Sequence, residues 1–459
     1  MKHETAIKQG TSAPPDGLPR PRIYWAWATL MVGLTLAVID GTIANVALPT
    51  IAADFSAGPA ASIWIVNGYQ LAIVVTLLPL AALGEIYGYR RVYLAGVSLF
   101  TIASVACVFS RSLEALTLAR IVQGLGAAGL MSVNTALLRY TVPQAKFGTA
   151  IGLNALFVAV SATIGPTLAG VILSSLSWPW LFVINVPLGI IAVAMGIKSL
   201  PENDRSSRQF DAISAILSAL AIGLLITTID SAGNDISSAI VLLQAIGCVT
   251  AGALLIRRSL QADDPLLPLD LLRIPVFTLS ICTSIISFLA QMMAFVSLPF
   301  LFQTVFGFKP IEVGFLMMPW PIALAVVAPL SGRLSDKYSP AGLGLLGLLT
   351  FAIGLALVGL LPAQPTIVDI CWRMAVCGVG FGLFQAPNNR MMITSTPRAR
   401  SGAASGMLGT ARLLGQSLGA AFVAFLLGRW GLQGTPSILF IASGFALIAS
   451  IVSVLRLRL

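Results

Sequence analysis

Fourteen stretches of about 20 mostly apolar residues follow one another along this chain, and that succession limits what it can become. A helix rising about 1.5 Å per residue needs about 20 such residues to cross a hydrocarbon layer of about 30 Å. We read spans over residues 24–48, 62–83, 92–110, 116–138, 148–173, 180–197, 212–230, 236–256, 275–303, 311–331, 341–361, 367–388, 402–427 and 435–455. The connections left between them average about ten residues, so no soluble domain fits there. Charged residues are 10% of the chain and apolar residues 57%, too few charges to cover a soluble fold of 459 residues. The expected class is an all-α polytopic protein in a lipid bilayer.

Lys and Arg orient it. With the N-terminus inside, 21 of the 27 fall in the tails and even-numbered connections, and only Arg111, Lys309 and Arg429 in the outer ones. Arg120, Arg373 and Arg412 lie within spans. Such a bias predicts both termini in the cytoplasm and explains the net charge of +10 without nucleic acid as a partner. The tail 1–22 has no apolar core, so it reads as a disordered segment and not as a signal peptide. Cys107, Cys248, Cys282, Cys371 and Cys377 fall in or beside apolar stretches and show no paired spacing. They read as buried hydrophobes, with no disulfide and no metal site. The one histidine, His3, is in the tail, and no G-x-x-x-x-G-K-[ST] nucleotide loop occurs. We expect no cofactor.

The chain repeats itself at an offset of 254 residues. Gly124, Gly126 and Asn134 answer Gly378, Gly380 and Asn388; Gly148, Gly152 and Gly165 answer Gly402, Gly406 and Gly419. Near this offset, Leu83-Gly84-Glu85 answers Leu334-Ser335-Asp336. The division expected is a tail over 1–22, a six-helix bundle over 23–200, a linker with spans seven and eight over 201–273, and a second bundle over 274–459. Eight spans separate the partners, so both halves have the same orientation. Such parallel repeats place a substrate site between the halves near the midplane.

Asp40 is the only one of the seventeen acids well inside a span. A carboxylate there costs about 2.5–3.5 kcal/mol on insertion scales, so it needs a partner or a wet cavity. Arg120, in the fourth span, lies within about 5 Å of the same depth. An interhelical Asp40–Arg120 pair is expected, and separating or rehydrating it would shift its proton affinity. The alternative is a permanent ion pair that only fixes packing. Asp40 maps to Ala294 in the repeat, so if protons move, the first half is expected to carry them.

Several motifs resemble one family. Asp40-Gly-Thr42-Ile-Ala-Asn45-Val-Ala-Leu-Pro49 is similar to D-x-T-x-x-N-x-A-L-P; Arg120-Ile-Val-Gln123-Gly124-Leu-Gly126 matches R-x-x-Q-G-x-G. Gly165-Pro166 with Gly170, Trp178-Pro-Trp180-Leu-Phe-Val-Ile-Asn185-Val-Pro187, and Gly88-Tyr-Arg90-Arg91 follow the same pattern. From Tyr24 onward the chain resembles the fourteen-helix drug:proton antiporters of the major facilitator superfamily, the EmrB/QacA type. It departs from them at Glu85 and Ala81 in the loop signature, and at Ser161 and Ala169 in the fifth-span motif.

The resemblance implies an inner-membrane exporter, coupled to protons, that moves drugs or other amphipathic small molecules by alternating access, working as a monomer. It gives Gly165, Pro166 and Gly170 the seal between halves, though small residues at this spacing also suit ordinary packing. Glu85, Gly88, Arg90 and Arg91, with Asp336 of the second copy, would form gating clusters at the inner face; the alternative is that the basic residues only anchor topology. Candidates for the substrate cavity are Asn45, Tyr69, Gln70, Asn154, Phe157, Gln291, Phe295, Gln385, Asn388 and Arg412. Aromatic and soft apolar surface among them would accept lipophilic cations. A specific metabolite is the runner-up substrate. A membrane enzyme would need a catalytic cluster that the residues do not supply, and a sensor would need a relay domain.

Overall fold

The computed structural model describes residues 17–203, 210–233, 236–262, 268–397 and 400–458. Most of the expected tail lies outside them, with Lys2, Lys8, Arg205, Arg208 and Arg398 of the charge pattern. Regular structure among the described residues is all helical, and fourteen helices are long and apolar enough to span a bilayer. They are α1 Arg22–Asp54, α2 Pro59–Tyr87, α3 Tyr89–Val108, α4 Leu113–Thr141, α5 Thr149–Ser175, α6 Trp180–Ser199 and α7 Ala212–Gly233. There follow α8 Ser238–Gln261, α9 Pro275–Val305, α10 Pro310–Leu334, α11 Pro340–Gly359, α12 Ile367–Thr394, α13 Gly406–Trp430 and α14 Leu432–Leu455. All fourteen expected spans are present. Leu18 and Arg456 lie on one side of the molecule, since fourteen crossings separate them; we call this the terminal side.

Helix ends follow side-chain chemistry. Ser112, Ser339 and Thr366 cap α4, α11 and α12 by accepting from the amides of Ala115, Gly342 and Asp369. α1 runs on through Pro49 to Asp54, past the end expected at residue 48. Neighbouring helices bury that segment, and a proline inside a spanning helix is tolerated where packing compensates. Gly88 has φ +104°, which lets the chain reverse between α2 and α3.

The repeat is physical. A side chain at Gly124 of α4 would strike the Tyr69 carbonyl and Ala72 of α2; one at Gly378 of α12 would strike the Trp320 carbonyl and Ala323 of α10. Gly126 closes on Gly96 and Phe100 of α3, and Gly380 on Gly347 and Phe351 of α11. With lipid on both sides no hydrophobic drive separates helix faces, so close backbone approach carries the packing. Each half therefore has the same set of glycine-mediated crossings.

One continuous apolar core joins the halves on the side away from the termini. It contains Ile43–Ile51 of α1, Ile63 to Val66 around the start of α2, Phe182 of α6 and Phe288–Phe302 of α9. On the terminal side each half has its own core, apart from Leu413, which α13 lends to the first-half cluster. The far-side seam also has polar stitches. Gln303 of α9 donates to the Val46 carbonyl at 2.8 Å and accepts from Thr50 at 3.4 Å.

The inserted pair is not loose. Trp64 of α2 hydrogen bonds to Asp230 of α7, Arg429 of α13 donates to the Ala232 carbonyl at 3.4 Å, and Gly233 sits against the Phe425 backbone. α7 thus touches both halves at its far-side end, while α8 packs on α7. At their terminal-side ends Arg258 pairs with Asp211 at 3.0 Å. Partial burial pushes the Asp211 carboxyl up, but hydrogen bonds from Arg258 and Ser214 outweigh it and hold it below the ordinary range.

Candidate functional site

Asp40 and Arg120 are both fully buried, and they form an ion pair. The carboxylate also accepts from Gln123 Nε2 at 3.0 Å and from Asn185 Nδ2 at 2.7 Å. Arg120 lies over the Tyr69 ring at 4.1 Å and near that of Phe182 at 5.5 Å. Its Nε donates to the Ile65 carbonyl at 3.2 Å, and one Nη donates to Gln123 Oε1 at 2.6 Å. The other Nη is buried with no partner. Gln123 donates further to Ser104 at 2.9 Å.

Three helices thus meet at the carboxylate, and α2 and α3 join the network through Arg120 and Gln123. Arg120 and Gln123 are three residues apart on α4 and so share a face. The close α2–α4 crossing at Gly124 brings Tyr69 over the guanidinium. Trp178 at the start of α6 donates to Asp54 at the end of α1 at 2.7 Å, tying those two helices together close to Asn185. Asn185, Gln123 and Ser104 belong to this network, and sequence reasoning did not place them in it. The first two stand in quoted motifs, which was the available signal; nothing in the sequence tells which helix they reach. Asn45, five residues beyond Asp40 on α1, is buried with its Oδ1 unpaired.

The expected cavity residues divide. Gln70 lies on the face of α2 that turns to α13 with Leu77 and Leu78; its Oε1 is unpaired. Tyr69 belongs to the Asp40 site and donates to the Ala37 carbonyl at 3.1 Å. Asn154 accepts from Asn134 at 3.2 Å, and Phe157 packs edge-on to Trp27 at 5.6 Å, both inside the first half. Phe295 packs on Trp320 at 4.8 Å in the second. Gln291 is nearly buried on α9 and Gln385 half-buried on α12. Asn388 is buried on α12. It is internal to the second half, donating to Ser284 at 2.8 Å and accepting from Arg456, which also donates to Ser280 and Ser453. The sequence places Arg456 among the cytoplasmic topology charges; here it is buried, and burial pushes its guanidinium down to about 10. Arg412 has no ion pair or hydrogen bond to a described residue, and its Nε is buried.

Two expected gating arrangements differ from their sequence reading. Gly165 and Ser161 do not seal the halves: Gly165 closes on Thr42 and Ser161 donates to Thr35 at 3.3 Å, both on α1 of the same half. Close contact between the halves lies further along α5, at Pro166 and Gly170. A Cβ at Gly170 would be 2.8 Å from the Pro310 carbonyl of α10, and one at Gly314 would be 2.7 Å from that of Pro166. Nor do Glu85, Arg90 and Arg91 form one cluster. Arg90 pairs with Glu202 beyond α6 at 3.1 Å, Arg91 is exposed, and Glu85 makes no ion pair among the described residues. Asn203 accepts from the Tyr89 amide at 2.8 Å beside Gly88. Asp336 pairs with Arg390 of its own half.

Two repeated six-helix bundles, an inserted helix pair and a seam closed on one side define a transporter-type membrane fold. The family model described as the Major Facilitator Superfamily matches residues 30–420, and the chain belongs to that superfamily. It is 53% identical over 444 residues to the uncharacterized transporter YebQ of Escherichia coli (strain K12), covering 96% of this chain and 97% of that one. It is 31% identical to the riboflavin transporter RibZ of Clostridioides difficile (strain 630), covering 86% and 87%. It is 32% identical to the multidrug resistance protein Stp of Mycobacterium tuberculosis (strain CDC 1551 / Oshkosh), covering 87% and 75%. The crystal structure of a bacterial homologue of the human lysosomal transporter Spinster shares the fold, with a TM-score of 0.68 at 17% identity, covering 96% of this chain and 98% of that one. The protein is a multi-pass membrane transporter of small molecules and not an enzyme.

Proposed function

We propose that the protein is a proton-coupled exporter of amphipathic small molecules, working by alternating access as a monomer in the inner membrane with both termini in the cytoplasm. The observation that carries the reading is the Asp40 site: one fully buried carboxylate held by Arg120, Gln123 and Asn185 across three helices. An acid at this depth is functional by default. Donors on α4 and α6 and an acceptor on α1 will separate when those helices shift against each other, which links proton binding to the rocking of the half. The far-side seam of Gln303, Gly170 and Gly314 is the closed gate of one end state. Export of drugs is favoured by relatives such as the multidrug resistance protein Stp. A narrow metabolite substrate is the second reading, favoured by similarity to the riboflavin transporter RibZ.

The test uses purified protein in liposomes loaded with a pH dye. An inward-acid gradient is imposed and amphipathic compounds are added one at a time. Substrate-dependent proton flux is expected in the wild type and none in Asp40→Asn at equal reconstitution. Equal flux in the variant removes Asp40 from coupling.

A further inference from the structure

Arg412 stands eleven residues into the 30-residue helix Ser401–Trp430, about 16 Å along its axis and near the bilayer centre. The other arginines well inside spans have acids: Arg120 has Asp40 and Arg373 has Asp369. Arg456 at the end of α14 is wrapped by Asn388, Ser280 and Ser453. Arg412 has none of these. Its Nε is buried without a partner, and no described residue forms an ion pair with it.

Where it points follows from what surrounds α13. Gly415 and Gly419 seat on the Ile285 and Leu289 carbonyls of α9. Gly406 and Gly409 face Leu78 and Leu77 of α2, and Phe425 faces Gly233 of α7. We set Gly415 at zero and turn about 100° per residue. The α9 face then centres near roughly 20°, the α2 face near roughly 150°, and the α7 face near roughly −80°. Arg412 falls at about 60° and Gln416 at about 100°. Both therefore occupy the quadrant between α9 of one half and α2 of the other, on the side away from peripheral α7. That quadrant faces the interface between the halves.

We propose that Arg412 is the anion-binding residue of the substrate cavity, and that the transported compounds carry a carboxylate or a comparable single anionic group. The inference rests on the transporter reading above and narrows its substrate class. A guanidinium presents a planar fork that a carboxylate meets with two parallel bonds. Deep in the membrane that attraction is weakly screened. Asp40 cannot supply the counter-charge, because Arg120 already neutralises it inside the first half. A cationic substrate would meet an unpaired positive charge at the midplane and be repelled. Gln416, one turn further along, can add a hydrogen bond.

The experiment measures affinity by isothermal titration calorimetry on the full chain in nanodiscs. The probes share one ring system and differ in charge: a naphthalene carboxylate, its methyl ester, and a naphthyl trimethylammonium. The carboxylate is expected to bind at least tenfold more tightly than the ester, and the cation most weakly. Arg412→Gln should erase the preference for the acid and leave the ester unchanged, and Arg412→Lys should restore part of it. A wild type that binds the carboxylate no better than the ester, or a preference that survives in Arg412→Gln, overturns the proposal. Should Arg412→Gln fail to fold, the wild-type series and Arg412→Lys decide it. The same probes in liposomes separate the two readings. Proton-coupled movement of ester or cation but not acid leaves the transporter standing and sinks the anion site. Arg412-dependent binding of the acid without movement of any probe does the reverse.

Discussion

A buried carboxylate with three donors is chemically specified to a degree that a simple ion pair is not. Asp40 loses one donor in Gln123→Leu, and Arg120 and Ser104 each lose a partner at once. Leaving buried polar groups unpaired costs about 1–3 kcal/mol each. We expect Gln123→Leu to lower thermal stability and to change the pH dependence of transport; a normal melting profile with an unaltered pH curve would deny the glutamine a part in the site. Arg120→Ala should change the pH profile more strongly, and an unchanged profile at normal expression would reduce the pair to packing. The pairing of Asp40 with Arg120 is legible in the sequence, because depth in a membrane can be counted along a helix. The contributions of Asn185 and Ser104 are not, since counting residues fixes height but not which neighbour a face meets. The same gap hides Arg456, whose position at a span end suggests a solvated charge while its partners lie on other helices.

Helix faces show the same limit at the next scale. Gly165 and Gly170 belong to one sequence motif, yet five residues turn the helix by about 140°. The first meets α1 within its half and the second meets α10 across the seam. A substitution therefore has a different effect at each. Gly170→Leu and Gly314→Leu should leave the halves folded and block closure on the far side, abolishing transport in everted vesicles while the monodisperse peak on size exclusion persists. Gly165→Leu, driven into Thr42, should instead lower expression and melting temperature. Gly332→Ala meets nothing within 4 Å and should be silent. Retention of transport in both seam variants would mean that this crossing is not a gate. Glycine contacts also explain why the repeat is legible: Gly124 with Gly126 and Gly378 with Gly380 recur because each backbone crossing recurs.

At the scale of the molecule, one shared core on the far side and separate cores on the terminal side would make the two halves levers about a closed end in the proposed transport cycle. α7 is fastened to both levers near that end through Trp64 and Arg429. The sequence allowed the inserted pair to be mere filling, because few polar residues mark it and its contacts come from two distant segments.

The central claim, that Asp40 protonation sets the balance between end states, needs no known substrate to be tested. Spin labels on the far-side ends of α5 and α10, read by pulsed electron resonance in nanodiscs, report the seam distance as pH is varied. The account predicts that the populations of close and parted distances shift with pH in the wild type and become pH-independent in Asp40→Asn. A variant that keeps the wild-type response, or a wild type whose seam ignores pH, would contradict it.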